Sequence, residues 1–364
     1  MNNTNDYEVI STRQKPGSAK EPHVSVQNPF DISQPEKYAV CMTTSSVKFL
    51  TQIFDILRVP IQELFLYFTP NGMSIFQYDA DNTLLVSFKM DKGLDIHCPK
   101  RIRVKFQLRL LLNHLKKIKD DDSIISFIVQ DKSILKLHLV VTKSRDSQST
   151  ARVFHVPLIA DESEDPKPFS CTWKGIIQIS SKEFFADIHD TDGIDNLITF
   201  YYDEKGYVIS SEDDLGNAVE IYRPVERKEK NADDQKALPN ESQKSEDDAD
   251  AKPSKKRKRD DGDEKKGSST KKRKVAEGQE VHLYTDTASG DSSEIKLKPR
   301  EYPARFVTAI AKGATLCETV QLSMSPKGPL RIIYDIPHMG CLKFIQCQHV
   351  PPNEEHEFDL PNGY

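Results

Sequence analysis

The chain reads twice. Ser45-Ser46-Val47-Lys48-Phe49-Leu50 leads into an apolar run and then Pro70-Asn71-Gly72-Met73-Ser74-Ile75. Ser180-Ser181-Lys182-Glu183-Phe184-Phe185 leads into another and then Glu204-Lys205-Gly206-Tyr207-Val208-Ile209. Ser46 and Ser181 stand 135 positions apart, Gly72 and Gly206 134. A helix start and a hairpin turn recurring in register describe a duplicated domain. An apolar–basic helix also recurs, ending at Lys116 and at Lys312, 196 positions apart. The excess of 61 positions is close to the length of a charged, low-complexity tract at 225–280. Two copies of one fold, the second carrying an insert, account for most of the 364 residues.

Charge is unevenly spread. The net charge is −5, but residues 251–275 carry +8, which leaves −13 on the rest. An acidic body repels DNA at its outer surface, so any DNA contact must be local. Residues 1–35 and 351–364 are polar and read as tails without a core. The acidic, proline-containing stretch at 159–171 reads as a connector between copies at 36–158 and 172–350.

Periodicity places a short strand at 38–42 and a helix from Ser45 or Ser46 to Leu57. Strands follow at 64–68, 73–78, 83–90 and 101–106, then a helix at 107–118, then strands at 124–129, 135–142 and 151–158. The second copy repeats this order with a strand at 172–179, a helix at 182–190 and hairpins between 196 and 223. Strands at 281–284 and 294–298, a helix at 304–312 and strands at 319–325, 330–335 and 340–348 complete it. Two short helices among eight or nine strands give an α+β domain whose helices cover one face of antiparallel sheets.

Nothing in the sequence assembles a catalytic centre. There is no P-loop, no HExxH and no GxSxG. The acidic clusters Asp120–Asp122 and Glu212–Asp214 fall on turns and read as turn formers. Cys341 and Cys347 lie about 20 Å apart along one strand, too far to share an ion with His338 and His349. No metal, no cofactor and no enzymatic activity are expected. No apolar run is long enough to span a membrane and no signal peptide is read.

At this point the chain resembles the sliding clamps of DNA replication, the proliferating cell nuclear antigen family. The resemblance covers both folded halves and is strongest near the end. It rests on Thr319-Val320-Gln321-Leu322-Ser323-Met324, Gly328-Pro329-Leu330 and Tyr334-Asp335-Ile336-Pro337-His338-Met339-Gly340-Cys341-Leu342-Lys343-Phe344. Asp213-Asp214-Leu215-Gly216-Asn217 and Asp190-Thr191-Asp192-Gly193-Ile194-Asp195 are similar to two loops of the second domain. The N-terminal tail and the insert are not family features and point to a divergent member, such as one from a large DNA virus.

The resemblance implies two tandem copies of the DNA-clamp (processivity) domain and a homotrimeric ring, with antiparallel sheets outside and helices lining the hole. It implies sequence-independent binding of double-stranded DNA, with DNA polymerase, a clamp loader and other peptide-motif proteins as partners. Arg58, Lys116, Arg305 and Lys312 match hole-lining positions, and the helix faces add Arg109, Lys117 and Lys119. The first helix of the second copy departs from the pattern. Ala186, His189 and Gly193 stand where basic residues are expected, and Asp187 and Asp190 add negative charge. A peptide groove would use Tyr78, Thr83, Leu85, Pro166, Pro168, Phe169, Pro329, Ile345 and Cys347. The subunit interface would pair 151–158 with 215–222 through Phe154, Val156, Leu215, Val219 and Ile221.

In the insert, Lys255-Lys256-Arg257-Lys258-Arg259 and Lys271-Lys272-Arg273-Lys274 look like nuclear import signals, with DNA tethering as the rival role. A nuclear location follows from the first role, a cytoplasmic viral replication site being the alternative. Three other readings stay open: a monomeric processivity subunit without a ring, a nuclear scaffold that holds DNA through the insert, and a metal-dependent nuclease.

Overall fold

The computed structural model describes residues 30–118, 123–130, 135–143, 151–168, 171–202, 206–224, 226–228, 282–284 and 297–350. Lys119, Phe169, both import-like tracts and Asp120–Asp122 lie outside them.

The first copy runs β1(Val40–Thr44), α1(Val47–Leu57), β2(Glu63–Thr69), β3(Gly72–Tyr78), β4(Leu84–Met90), β5(Asp95–His97), β6(Ile102–Gln107), α2(Leu108–Leu115), β7(Ile124–Val129), β8(Lys136–Thr142) and β9(Arg152–Pro157). The second runs β10(Lys174–Ser180), α3(Ser181–Thr191), β11(Leu197–Tyr202), β12(Gly206–Glu212), β13(Ala218–Pro224), β14(Glu226–Lys228), β15(His282–Tyr284), β16(Arg300–Pro303), α4(Ala304–Ala311), β17(Thr319–Met324), β18(Leu330–Ile336) and β19(Gly340–Gln346).

Sheet order makes the duplication explicit. One sheet is β5-β1-β7-β8-β9 and its counterpart is β15-β10-β17-β18-β19. The other pair is β6-β2-β3-β4 and β16-β11-β12-β13. The rungs correspond residue by residue: Met42–Phe127–Leu139–Phe154 in one copy, Ile177–Leu322–Ile332–Phe344 in the other. Because β19 pairs with β4, two of the four sheets fuse into a single ten-stranded sheet across the junction. Seven rungs form that seam, from Gly340 opposite Met90 to Gln346 opposite Leu84.

Each helix buries one stripe, and on α1, α2 and α4 it is apolar. On α1, Leu50, Ile53, Phe54 and Leu57 are fully buried at i, i+3, i+4 and i+7. On α2 the stripe is Leu108, Leu111, Leu112 and Leu115. The helices pack in the order α2–α1–α4–α3 and form one continuous layer. Gly72 and Gly206 recur because a partner strand crosses close by. A Cβ would meet the Met90 carbonyl oxygen at 2.3 Å in one copy and that of Arg223 at 2.2 Å in the other.

The structure departs from the sequence reading in five places. From the helix N-caps Ser46 and Ser180 onward, the copies run 134 positions apart, not 135. Of the strand expected at 294–298 only 297 and 298 lie within the described residues, and β16 follows at Arg300–Pro303, its ladder with β11 prolonged by the Leu297 amide donating to the Tyr202 carbonyl. Three residues of the expected insert, Glu226–Lys228, form β14, parallel to β15. The N-terminal tail is shorter than 35 residues, since Phe30 is buried against Cys41, Ile128 and Val140. Asp187 does not add charge to the α3 surface; it is 2% exposed.

The shifted register explains Asp187. It occupies the position of Ile53, on the buried stripe of α3. A buried carboxylate needs partners. Arg223 of β13 donates to both of its oxygens at 2.6 and 3.0 Å, and Tyr207 of β12 donates at 2.8 Å. In the first copy the equivalent positions are Ile53, Met73 and Met90, all apolar. Burial and the adjacent carboxylate push the Tyr207 hydroxyl well above the usual tyrosine range.

Deleting one partner of such a group strands the other, whereas replacing all of it with apolar residues is close to neutral or stabilising. Asp187→Ala is expected to lower unfolding free energy by about 2–3 kcal/mol, discounted because Arg223 keeps some solvent. The triple change Asp187→Ile, Tyr207→Met, Arg223→Met, which installs the first copy's residues, is expected to cost less than Asp187→Ala alone. Urea denaturation of the three proteins checks the ordering.

Candidate nucleic-acid and partner surfaces

The exposed side of the helix layer carries a repeated set of cations. Arg109 and Arg305 take the same position on α2 and α4, and Lys116 and Lys312 cap the two helices. All four are exposed, as are Arg58 and Lys117. The 134-residue register adds a pair that the sequence reading missed, Lys48 on α1 and Lys182 on α3, both exposed. Their signal is present in the sequence, but the offset of 135 hides it.

Acids temper this surface. Arg58 and Lys116 converge on Asp55, at 3.4 and 2.6 Å. Arg305 lies 3.6 Å from Asp81 and stacks on the ring of Phe306. Every member of these pairs is more than a third solvated, so they hold the cations weakly and leave them free to exchange partners. On α3, Ala186, His189, Asp190 and the exposed ring of Phe185 replace the cations, and Gly193 is exposed beyond its end. With Asp187 turned inward, that quarter is less acidic than the sequence suggested.

The groove residues meet on the opposite face, along the seam. Tyr78, Leu85, Ile345 and Arg331 are successive rungs across β3, β4, β19 and β18. Thr83 sits in the turn before β4, held by Asp79, which accepts from its amide at 2.7 Å and its hydroxyl at 3.0 Å. Asp213 holds the equivalent turn of the second copy, accepting from the Leu215 and Asn217 amides, each at 2.9 Å. The Asn217 side-chain amide, which donates to Asp213 at 2.6 Å, and then those backbone bonds hold its carboxyl below the usual range, in keeping with a turn former. Leu85, Pro329 and Ile345 are buried within the chain; Tyr78, Pro166, Cys347 and Pro168 retain exposure. The thiol of Cys347 is pushed up by burial.

The connector is strapped beside this row. Arg101, Arg103 and Lys105 alternate on the outer face of β6 and lie over the rings of Tyr67 and Phe65. Arg103 bonds Asp161 at 2.7 Å and Asp165 at 3.0 Å; Arg101 bonds Asp165 at 2.6 Å. Tyr67 donates to Asp165, and Tyr78 reaches the Lys167 carbonyl at 3.5 Å. The guanidinium groups hold the Asp165 carboxyl below the usual range despite partial desolvation.

The expected interface residues lie on or beside two of the sheets' edge strands. β9 ends one sheet and β13 another. Phe154 and Val219 are half-buried, and Ile221 is likewise. Two expected contacts change role. Val156 is fully buried in the chain's own core, and Leu215 lies in the turn before β13, which begins only at Ala218.

Among the described residues no group of side chains is placed to hold a metal ion, and no helix is long and apolar enough to cross a membrane. All six cysteines are free.

No family model matches the chain, and no curated protein does. Among solved structures, the crystal structure of Proliferating Cellular Nuclear Antigen from Entamoeba histolytica is similar over 86% of this chain and 100% of its own. The TM-score is 0.61 at 14% identity, a likeness of fold. The chain has the clamp fold, in two tandem copies of antiparallel sheets and paired helices.

The connector strap depends on ionised carboxylates. Because the folded Asp165 is depressed, its contribution is present above the ordinary carboxylate range and lost as pH falls through the folded value. Proteolytic cleavage within 159–168 should stay slow from pH 7 to 5 and speed up on Arg103→Ala or in molar salt. Unchanged protection in Arg103→Ala would refute the strap.

Proposed function

We propose that this chain is a non-enzymatic DNA sliding clamp, three copies of which close a ring around duplex DNA and tether polymerase and other peptide-motif proteins. One observation carries the reading. β4 and β19 pair inside the chain, while their counterparts β13 and β9 are both left as edges. An unpaired edge of this length is a liability that a second copy removes.

The internal seam also sets the register of the proposed joint. Phe344 opposite Val86 becomes Phe154 opposite Val219 of a second copy; Leu342 opposite Phe88 becomes Arg152 opposite Ile221. Phe344, Val86, Leu342 and Phe88 are fully buried. Phe154, Val219 and Ile221 are only half-buried in the single chain, as expected of groups awaiting a partner strand. The trimer, with head-to-tail joints closing on themselves, comes from the family resemblance.

In such a ring the helix layer faces the hole. Its repeated cations, with solvated and exchangeable partners, suit weak, sequence-independent phosphate contacts. The acidic remainder of the body keeps DNA off the outside. The Tyr78–Ile345 row beside the connector suits an apolar peptide plug with strand-like backbone pairing, and replacing an aromatic by Ile345 narrows what that plug can be. The basic tracts of the insert support nuclear import and a nuclear site of action.

Light scattering after size exclusion is expected to give about three times the 41.4 kDa chain mass. A monomer at micromolar concentration would favour the ringless processivity subunit. Retention on closed circular DNA should survive deletion of 229–281, which the scaffold reading forbids. Lys116→Glu with Lys312→Glu should cut loading about tenfold or more, and His189→Glu by less. Equal losses would refute the hole assignment. Cleavage of DNA with magnesium or manganese would instead reveal a nuclease.

A further inference from the structure

The edge strand β9 is bracketed by three of the chain's ten histidines. Outside, His138 of β8 and His155 of β9 are directly opposed, with their Nδ1 atoms 2.8 Å apart and their rings edge to face. Inside, His114 of α2 stacks on Phe154 at 4.8 Å, and its Nδ1 is buried without a hydrogen-bond partner. A contact between two Nδ1 atoms requires one to donate and the other to accept, so it admits no second proton on these atoms. Phe30 closes the outer side, its ring 4.7 Å from that of His138.

Among the described residues, the groups facing the pair offer no compensating anion at close range. Its row continues through Ile128 and the Cys41 thiol, pushed up to about 11 by burial, to His97. Lys136 lies on β8 and Arg152 on β9, both cationic. In the N-terminal segment, Tyr38 bonds the Asp31 amide, and the Asp31 carboxylate is engaged by Ser33 and Lys37. Burial and neighbouring positive charge hold His138, His155 and His114 below the ordinary imidazole value.

At the internal seam the equivalents of His138 and His155 are Arg331 and Ile345, and Ile345 meets Leu85. The same register sets His155 opposite Ala218 of a second copy. Across the internal seam Ile345 and Leu85 thus form an apolar, pH-indifferent contact where the proposed subunit joint has the titratable His155.

We propose that the His138–His155 pair is a pH-sensitive latch on the subunit joint: a second proton forces the rings apart, displaces β9 and Phe30, and opens the ring. The inference rests on the reading of β9 and β13 as that joint. The sign follows from the contact itself: one of the two facing Nδ1 atoms must be unprotonated, so the closed arrangement holds while the pair shares one proton, and assembly weakens as falling pH adds a second.

The test uses the full chain: light scattering over a concentration series at pH 7.5 and pH 5.5, for wild type, His138→Asn/His155→Gln and His114→Phe. The wild-type assembly midpoint should rise about tenfold or more at pH 5.5, the equivalent of one unit of pKa shift. The double variant should stay trimeric at pH 7.5 and lose most of that rise; His114→Phe should keep it. A wild-type trimer equally stable at both pH values overturns the latch and leaves the ring reading standing. Equal pH dependence in the double variant overturns it also. A wild-type monomer at both pH values overturns the ring reading, and the latch with it. Circular dichroism at both pH values separates opening from unfolding.

Discussion

Backbone pairing between β4 and β19 is the constraint on which the rest depends. Without it the chain would be two small domains, each of two separate sheets. With it, seven rungs weld the copies into one ten-stranded sheet. The helix layer is continuous only because that weld brings α1 against α4. The groove row from Tyr78 to Arg331 exists only because β4 and β19 are neighbours. Each candidate surface is thus a consequence of how one copy is joined to the other, not a property of either copy.

The two copies have kept their backbone and exchanged their chemistry. Rung for rung, Phe68–Met73–Met90 corresponds to Tyr202–Tyr207–Arg223. The first copy fills the space under its helix with apolar side chains; the second places a carboxylate, a phenol and a guanidinium there. Such a cluster contributes less stability than its apolar counterpart but tolerates only one arrangement. It ties α3 to β13, a strand that is otherwise held on one side only. A free edge gains most from an internal tether of that kind.

Much of this was legible in the sequence. Apolar periodicity located all four helices, and the paired glycines located the hairpins, because both signals are local. The harder features depend on a single-residue offset. At 135 positions, Lys48 faces Glu183 and Asp187 looks like a surface acid; at 134, Lys48 matches Lys182 and Asp187 matches the buried Ile53. Hydrophobic matching could not choose between them, since the second copy is polar where the first is apolar. The strap had a readable signal in Arg101, Arg103 and Lys105, spaced by two on a strand opposite an acidic connector. The anchoring of Phe30 had none, as one aromatic in a polar tail carries no period.

A ring that must open needs joints of unequal strength. On the ring reading, the two kinds of joint share topology and register, so backbone hydrogen bonding cannot distinguish them. Side chains must. Inside the chain, the core-facing side of the seam is lined by Val86, Phe88, Leu342 and Phe344, all fully buried. At the free edges, Arg152 and Asn217 take positions that Leu342 and Leu84 occupy in the seam. Each such replacement removes apolar area worth about 25 cal/mol per Å² from the joint. The covalent linkage adds to the internal seam a high effective concentration that no subunit joint has. On that reading, opening is directed to the subunit joint by two independent terms, burial and connectivity.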